Sequence, residues 1–183
     1  EAKNVMDVVD KLDNINNKYA VDAAGLGDGL ERSASALAMT GNSLEQSIAM
    51  LTGAGEITQN LENTGNAMKV VSLRLQNMKG KLEELEEPVD DLMEVSKVQT
   101  QILNLTHNQV DIFDKTTKEF RSTYDIIKDI ANIWDSLNST SRASLTEILF
   151  GKNRANIGLA LIQSFQSGQT QNALKDVQQS MGV

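Results

Sequence analysis

The sequence predicts an all-α fold, an elongated bundle of about seven to nine helices. Three observations favour this fold class. Apolar residues recur every three or four positions along most of the chain, which is the spacing of one face of a helix. The 183 residues include only one proline, a residue that removes a helical hydrogen bond. Glycines and N-capping residues stand between the periodic stretches, where helices end and begin.

Composition narrows the function classes. Apolar residues make up 40% of the chain and aromatic residues only 4%, so we expect an aliphatic core. The absence of cysteine excludes a disulfide framework and a thiolate metal site. The formal net charge of −8 argues against specific nucleic-acid binding, which needs a basic surface. The longest strictly apolar runs, such as Leu159–Ile162, are too short to span a bilayer.

The first helix is predicted from apolar residues that step alternately by three and four: Val5, Val8, Leu12, Ile15 and Tyr19. Because the chain opens with Glu and this periodicity begins at once, we expect residues 1–183 to be a single helical module of a much longer protein. The stretch "VDAAGLGDGL" at 21–30 then carries three glycines. We interpret it as a flexible hinge, since no strand precedes it and Leu30 stands where a dinucleotide loop needs its third glycine.

A helical corner is predicted next. A second helix, roughly Leu26–Met39, is followed by Gly41, which is placed to end it in a left-handed conformation. Ser43 and Gln46 have the spacing of a capping box at the start of a third helix. We therefore expect Gly41-Asn42 to form a tight turn between two packed helices.

The strongest pattern is a heptad repeat of about four heptads. Its members are Leu61, Thr64, Met68, Val71, Leu75, Met78, Leu82, Leu85, Val89 and Leu92. It predicts one long helix that is kinked near Pro88. We interpret Leu61, Met68, Val71, Leu75, Met78, Leu82 and Leu85, together with Trp134, as a partner or packing face. Flanking bases such as Lys69 and Arg74 would tune helix pairing, so we expect self-association.

The stretch at 101–114 reads differently. Leu103, Leu105, Val110 and Ile112 alternate around the polar "THNQ", which predicts either a short β-hairpin or a buried loop. The sequence thus divides into helical hairpins and the long helix at 1–92, an irregular or hairpin part at 93–115, and a helical part at 116–183. The spacing of Thr116 and Glu119 predicts a capping box that opens the next helix.

The C-terminal part predicts four helices. The first buries Phe120, Ile127, Ile130, Trp134 and Leu137. A short helix then starts at Ser139 or Ser141 and ends at Gly151, and two more follow at about Asn153–Phe165 and Thr170–Met181, divided by Gly168.

The turn after Gly151 is polar, and we expect Arg154 there to cap carbonyl groups or pair with an acid. If Gly151 is left-handed, Gly151→Val should destabilise the fold by about 1 kcal/mol or more.

No reactive centre is predicted. His107 is the single histidine, and a catalytic triad would need Asp111 or Asp114 to orient it, but a lone histidine in a polar turn is most often a surface residue. Paired acids such as Glu83 and Glu87 lie on an exposed acidic face, where they should stay ionised and inert. We therefore expect no enzyme activity, no cofactor and no metal site, and interpret the chain as a structural or interaction protein.

The order of several motifs resembles the core region of tail tape measure proteins of long-tailed bacteriophages and prophages. The quoted stretches are "GNSLEQSIAMLTGAGEIT", "NTGNAMKVVSLRL" and "DIIKDIANIWDSLNSTSRASLTEILFGKNRANIGLALIQSF". The residues that match are Gly41, Ser43 and Glu45, then Gly65, Lys69, Arg74 and Leu75, and further on Trp134, Arg142, Gly151, Arg154 and Asn156. Phe150 stands where this family often has alanine. The resemblance covers the chain from about residue 20 to its end.

This resemblance implies a structural protein that scaffolds polymerisation of the tail tube and sets tail length. It implies the tail tube protein and tail assembly chaperones as partners, the tube lumen of the virion tail as location, and the host cytoplasm as the site of assembly. It carries over no catalytic residue. The alternative from the helical pattern alone is a bacterial helical interaction or secretion-associated module without catalytic activity.

Overall fold

A computed structural model describes the backbone of residues 2–179 and the side chains of residues 5–179. In that part of the chain the regular structure is helical, and no β-sheet is present, so the all-α prediction is confirmed. The helices are α1 Ala2–Lys18, α2 Ala23–Met39, α3 Leu44–Thr58, α4 Leu61–Leu75, α5 Lys79–Glu84, α6 Val95–Leu105, α7 Thr123–Ile133, α8 Ser139–Phe150, α9 Ala155–Gln166 and α10 Gln169–Gln179, with a 3₁₀ turn at Trp134–Ser136 after α7. The predicted helix end at Met181 lies outside the described residues.

Helix α3 forms the centre of the bundle. It packs against α2, α4, α9 and α10. Every residue from Ser47 through Gly55 is buried, and all of them are apolar, small or hydroxyl-bearing. A helix that can be covered on all sides has this composition, because any exposed face would carry charged residues. The core around it is mainly aliphatic, as the composition predicted.

Helices α2 and α4 cross with almost no space between their backbones. A Cβ atom added to Gly65 would lie 2.5 Å from the carbonyl oxygen of Gly29 and 3.0 Å from its Cα. The interpretation of 21–30 as a flexible hinge is therefore wrong. Asp22 accepts a hydrogen bond from Gly25 N at 2.6 Å and caps α2, which continues through its glycines to Met39. At Gly29 the missing Cβ atom serves close helix packing, since a Cβ there would lie 2.8 Å from the Leu61 carbonyl oxygen.

The turn between α2 and α3 contains the left-handed glycine and the capping box that the sequence predicted. Gly41 has φ +85°, and the amide N–H groups of Gly41 and Asn42 donate to the carbonyl oxygens of Ala38 and Leu37. This pattern satisfies the last carbonyl groups of α2. Ser43 then caps α3 in a reciprocal capping box with Gln46.

The prediction of one long kinked helix is wrong, because the heptad stretch forms two helices. Helix α4 ends at Leu75, Asn77 adopts the left-handed φ of +53°, and Met78 N donates to the Leu73 carbonyl at 3.0 Å. Helix α5 ends at Glu84, and Glu86 then adopts a left-handed φ of +58° before Pro88 is reached. The heptad spacing continues through both turns because each turn returns apolar side chains to the core. Periodicity alone cannot distinguish this from one helix.

The β-hairpin alternative for 101–114 is also wrong. Part of 93–115 is helical, since α6 covers Val95–Leu105, whereas residues 106–115 form turns and a loop. Helix α6 runs to Leu105, and the next turn places His107 and Asn108 at φ +54° and +63°. The Thr106 hydroxyl accepts a hydrogen bond from Val110 N at 3.2 Å and holds this turn. Leu103 and Leu105 belong to the last turn of a helix, so their alternation with polar residues does not report a strand.

The loop before α7 is organised by Asp114 rather than by a capping box at Thr116. One oxygen of Asp114 accepts hydrogen bonds from the N–H groups of Thr116 and Thr117, each at 2.8 Å. An isolated antiparallel bridge joins Phe113 to Phe120 across this loop. Helix α7 starts later than predicted, with Ser122 as its N-cap. An Asp side chain that bonds the backbone two or three residues on competes with a helix start here.

The turn between α8 and α9 is built around Gly151, which has φ +73° and ψ −172°. This backbone region is nearly restricted to glycine. The Phe150 ring packs where a Cβ atom on Gly158 would stand, so the large residue at this position is accommodated by a small one on α9. Arg154 pairs with Glu87, and its Nε donates to Glu87 Oε1 at 3.0 Å.

We expect Gly151→Val to lower the free energy of unfolding by about 2 kcal/mol, because a side chain there is strained by the backbone and crowded by its neighbour. The added Cβ would lie 3.3 Å from Nη1 of the buried Arg74. Urea unfolding of the purified chain measures the effect. Gly168→Val is the matched control, since Gly168 has φ +83° and a Cβ there meets no described atom within 4 Å. We expect Gly168→Val to lower the free energy of unfolding by only about 1 kcal/mol, from backbone strain alone. Equal losses would mean that the Arg74 contact contributes nothing.

Candidate functional site

The heptad face lies mostly inside the protein. Leu61, Met68, Val71 and Leu75 are buried in the main core, and Trp134 is 8% exposed. Leu82 is buried in a smaller cluster that also contains the half-buried Met78. Leu85 is 37% exposed and is the member of this face that reaches the surface. The use of the heptad face as a partner face stays a prediction. In this structure most of that face packs against other helices of the same chain.

A buried arginine joins three separate parts of the chain. The Arg74 side chain is 5% exposed and lies at the C-terminal end of α4. Its Nη1 and Nη2 donate to the two carboxylate oxygens of Asp91 at 3.3 and 3.1 Å. Nε donates to the carbonyl oxygen of Ile148 at 3.1 Å, and Nη2 also donates to that of Glu147 at 3.1 Å. The guanidinium thus binds the loop after α5 and the C-terminal end of α8, whose negative dipole end favours a cation.

The electrostatics of this arginine site are visible in Asp91. Burial alone would raise the pKa of Asp91, but hydrogen bonds from Arg74 and its positive charge outweigh burial and lower that pKa below its ordinary value of 3.8. A carboxylate whose pKa is lowered in the folded protein stabilises the folded state at pH values above its ordinary pKa. That contribution is lost as the pH falls through the lowered pKa.

We expect Asp91→Asn to cost about 2 kcal/mol at pH 7, because it removes the charge from a bidentate, largely buried pair. The difference from the wild type should shrink as the pH falls below 3.8, because the unfolded wild-type carboxylate is protonated there and the folded one follows at its lower pKa. Urea unfolding at a series of pH values measures both. Asp90→Asn is the control, since Asp90 is exposed, and it should differ little from the wild type at any pH. A difference for Asp91→Asn that is independent of pH would contradict the electrostatic explanation.

Sequence reasoning placed Arg74 beside a helix seam and missed its burial. The signal was the run "VVSLRL" at 70–75, in which one charged residue stands among apolar ones. An arginine in such a run must be buried with partners, because an isolated buried charge is very costly. Lys11 was missed in the same way. It is 1% exposed, pairs with Asp7 on its own helix, and binds Glu45 of α3 at 3.1 Å.

The candidate catalytic residues do not converge. His107 is exposed in the turn after α6. Asp111 instead accepts hydrogen bonds from Gln99 Nε2 and Phe113 N, and Asp114 accepts from backbone groups of its own loop. Within residues 5–179, no three His, Asp or Glu side chains lie together in a way that could hold a metal ion. The arrangement of these groups therefore holds loops in place and presents no nucleophile and base pair.

Two of the surface grooves in the described part of the chain combine apolar and charged side chains. The first, here called the α2–α5 groove, has a volume of about 190 Å³ and lies between α2, α4 and α5. Its lining combines cationic and apolar side chains, chiefly Arg32, Lys69, Lys81, Met39, Leu73 and Leu85. The second is an open groove of about 580 Å³ beside Trp134, with Arg142 over the indole ring at 5.9 Å and the 42% exposed Leu159 on its rim. Both grooves combine apolar surface with charge, which is the composition of protein interaction sites.

Lys69 is the unusual group of the α2–α5 groove. It is half-buried and makes no hydrogen bond or salt bridge to any described residue. Burial, followed by the nearby positive charges of Arg32 and Arg154, lowers the pKa of Lys69, while Glu87 opposes the shift. An ammonium group in these surroundings is favourably placed to receive an anion.

Comparison with known proteins agrees with a structural assignment. A family model described as phage-related minor tail protein matches residues 1–151 of the chain. No solved structure matches the chain. Over the residues that the structure describes, none of the helices has the length and apolar character needed to cross a membrane.

Proposed function

Since the chain belongs to the family of phage-related minor tail proteins, we propose that it is the core segment of a tape measure protein, which scaffolds assembly of the tail tube and sets the length of the tail. The family supports a structural component of the virion tail. The tape measure role is the finer assignment, and the motif order described above supports it. That the chain is one helical module of a much longer protein is part of the same proposal.

The proposal rests on the structural roles of the motif residues, which form helix contacts and turns. Gly65 lies at the closest crossing of two helices, and Ser43 caps α3. Arg74 and Gly151 meet at the end of α8, while Arg154 pairs with Glu87. Each of these residues stabilises a helix contact or a turn. Residues shared with a tail family that hold a scaffold together fit an architectural role, and we propose that the chain has no catalytic activity.

The folded form bears on how such a protein could measure length. One continuous helix of this length would span roughly 270 Å at about 1.5 Å per residue. The longest helices, α1 and α2, have 17 residues each, or about 25 Å. A folded domain of 183 residues has a radius of gyration of roughly 16 Å and a diameter of about 40 Å, so the folded chain spans only a fraction of its extended length. We propose that it folds back during assembly in the host cytoplasm, and that it extends when it occupies the tube lumen.

Partners follow from the same role. We propose that the chain contacts the tail tube protein and the tail assembly chaperones, and that it self-associates. The acidic surface, with a net charge of −8, supports protein partners over nucleic acid as specific ligands.

A tandem duplication of residues 1–183 in the phage or prophage gene that encodes the chain tests the length role. We expect tails in electron micrographs to lengthen by up to about 270 Å if each copy extends, and by only about 40 Å if the second copy stays folded. Tails of unchanged length that contain the duplicated protein would overturn the tape measure assignment and leave only the structural role.

A second duplication separates folded from extended contributions. Here the added copy carries Gly65→Val and Arg74→Met, which we expect to prevent its folding. If the chain extends in the tail, both duplications lengthen it equally. Tail tube and chaperone genes beside this gene would further separate the proposal from the secretion-associated alternative, which predicts neither gene there.

A further inference from the structure

The outer face of α1 is apolar and acidic, and nothing in the described part of the chain covers it. Val5, Met6 and Val9 are 65%, 63% and 45% exposed. Asp10 and Asp13 are exposed next to them, one turn further along the helix. The opposite side of α1 is the one that packs, through the buried Lys11 and Ile15. The outer face thus carries an apolar patch followed by carboxylates.

The α2–α5 groove has the complementary composition. Met39 is 53% exposed at the end of α2, and Leu85 is 37% exposed directly after α5. Lys69 lies between them without an ionic partner among the described residues. Arg32 and Lys81 also line the groove, and each pairs with a carboxylate, Glu62 at 2.9 Å and Glu84 at 3.7 Å, so Lys69 is the lining cation that makes no salt bridge to a described residue. This is a basic, partly apolar site on a chain whose net charge is −8.

We propose that the outer face of α1 in one copy of the chain docks in the α2–α5 groove of a second copy. Met6 and Val9 would contact Met39 and Leu85, and Asp10 would approach Lys69. The groove is small, so it receives side chains while the helix lies across its opening. A carboxylate that reaches Lys69 relieves a half-buried ammonium that otherwise faces other cations.

The geometry of this contact is head-to-tail, because the two surfaces are different parts of the chain. Each copy offers one α1 face and one groove, so contacts can propagate from copy to copy until a ring closes. The inference deepens the proposed self-association and rests on it. It is independent of the length-measuring role.

A second copy explains the two surfaces better than the phosphate backbone of DNA does. Apolar rim residues such as Met39 and Leu85 gain nothing from a phosphate. The exposed acids Glu83, Glu84 and Glu86 lie on or beside α5 and would repel a polyanion. An acidic helix with exposed aliphatic side chains satisfies both features of the groove, and α1 is such a helix.

The test is sedimentation of the purified chain across micromolar concentrations, in low and in high salt. Two variants each remove one surface: Lys69→Glu alters the groove, and Met6→Asp alters the α1 face. Both positions tolerate charge, because Lys69 is already ionisable and Met6 is 63% exposed. We expect each variant alone to associate at least about tenfold more weakly than the wild type, and salt to weaken the wild type. Lys97→Glu, an exposed charge reversal on α6, is the matched control and should associate like the wild type.

Mixing the two variants gives the decisive result. Lys69→Glu retains an intact α1 face and Met6→Asp retains an intact groove, so a one-to-one mixture should form a dimer and stop there. Circular dichroism checks that both variants are folded. A wild type that stays monomeric, variants that associate normally, or a mixture that stays monomeric would each overturn the inference.

Binding of a short DNA duplex to the purified chain is the last measurement. Binding of the duplex that Lys69→Glu abolishes would assign the groove to phosphate and overturn the second-copy assignment. The tail-length experiment is independent of all these outcomes, because it measures virions. Loss of docking with lengthened tails would remove only the present inference, whereas docking with unchanged tails would remove only the length role.

Discussion

Gly65→Ala should destabilise the protein by about 3 kcal/mol, although alanine is the better helix former. The added methyl would lie 2.5 Å from the Gly29 carbonyl oxygen, closer than Cβ atoms come to any heavy atom. The neighbouring atom belongs to a backbone, so no side-chain rotation can relieve the contact. Helices α2 and α4 would have to separate, and the packing between them would be lost along the whole crossing. Urea or thermal unfolding measures the effect.

Gly27→Ala provides the matched control for this substitution. Gly27 is also inside a helix, on α2, but a Cβ atom there would meet no described atom within 4 Å. The same change should therefore stabilise the protein by up to about 1 kcal/mol through helix propensity alone. Opposite signs for the two substitutions would establish the close crossing. Similar effects at both positions would mean that α2 and α4 are not in backbone contact.

Arg74→Met should cost about 3 kcal/mol, because removal of one partner leaves the rest of a buried polar network unsatisfied. Methionine roughly fills the volume but leaves Asp91 without its cation and the carbonyl groups of Glu147 and Ile148 without donors. Arg74→Lys should recover only part of the loss, since an ammonium group cannot reproduce the fork that binds a carboxylate and two carbonyl groups together. Unfolding in urea provides the measurement.

Arg32→Met is the control for the loss of an arginine. Arg32 is 45% exposed and pairs with Glu62, which is 58% exposed, at 2.9 Å. Such surface ion pairs contribute roughly 0 to 1 kcal/mol. If Arg74→Met were as mild as Arg32→Met, the guanidinium of Arg74 would not connect α4, α8 and the loop at Asp91.

The sequence predicted the fold class and several turns because these depend on local chemistry. Aliphatic residues at helical spacing predicted the all-α bundle, and the spacing of Ser43 and Gln46 matches the capping box that opens α3. Helix boundaries were predicted less well. Asn77 and Glu86 end two helices in left-handed conformations that other residues than glycine seldom adopt, and no sequence pattern marked them.

The interaction surfaces could not be predicted from the sequence, since they depend on which apolar residues the fold leaves uncovered. Leu75 and Leu85 belong to the same heptad pattern, yet Leu75 is buried and Leu85 is exposed directly after α5. The role of Lys69 depends on Arg32, Arg154 and Glu87, which are distant in sequence. Tertiary structure brings these groups together, and periodicity reports only that each helix has an apolar side.

The contact between α1 and α10 has a mechanical consequence. Asp176 of α10 accepts hydrogen bonds from Tyr19 at 2.7 Å and Lys18 at 3.3 Å, and its backbone carbonyl accepts one from Asn14 at 3.1 Å. Tension applied to the chain on both sides of the bundle would load this contact before the interior helices feel any force. Its polar bonds would yield first, and the buried α3 would resist longest. Under tension such a bundle would unfold helix by helix and lengthen in steps. Without tension it would stay compact.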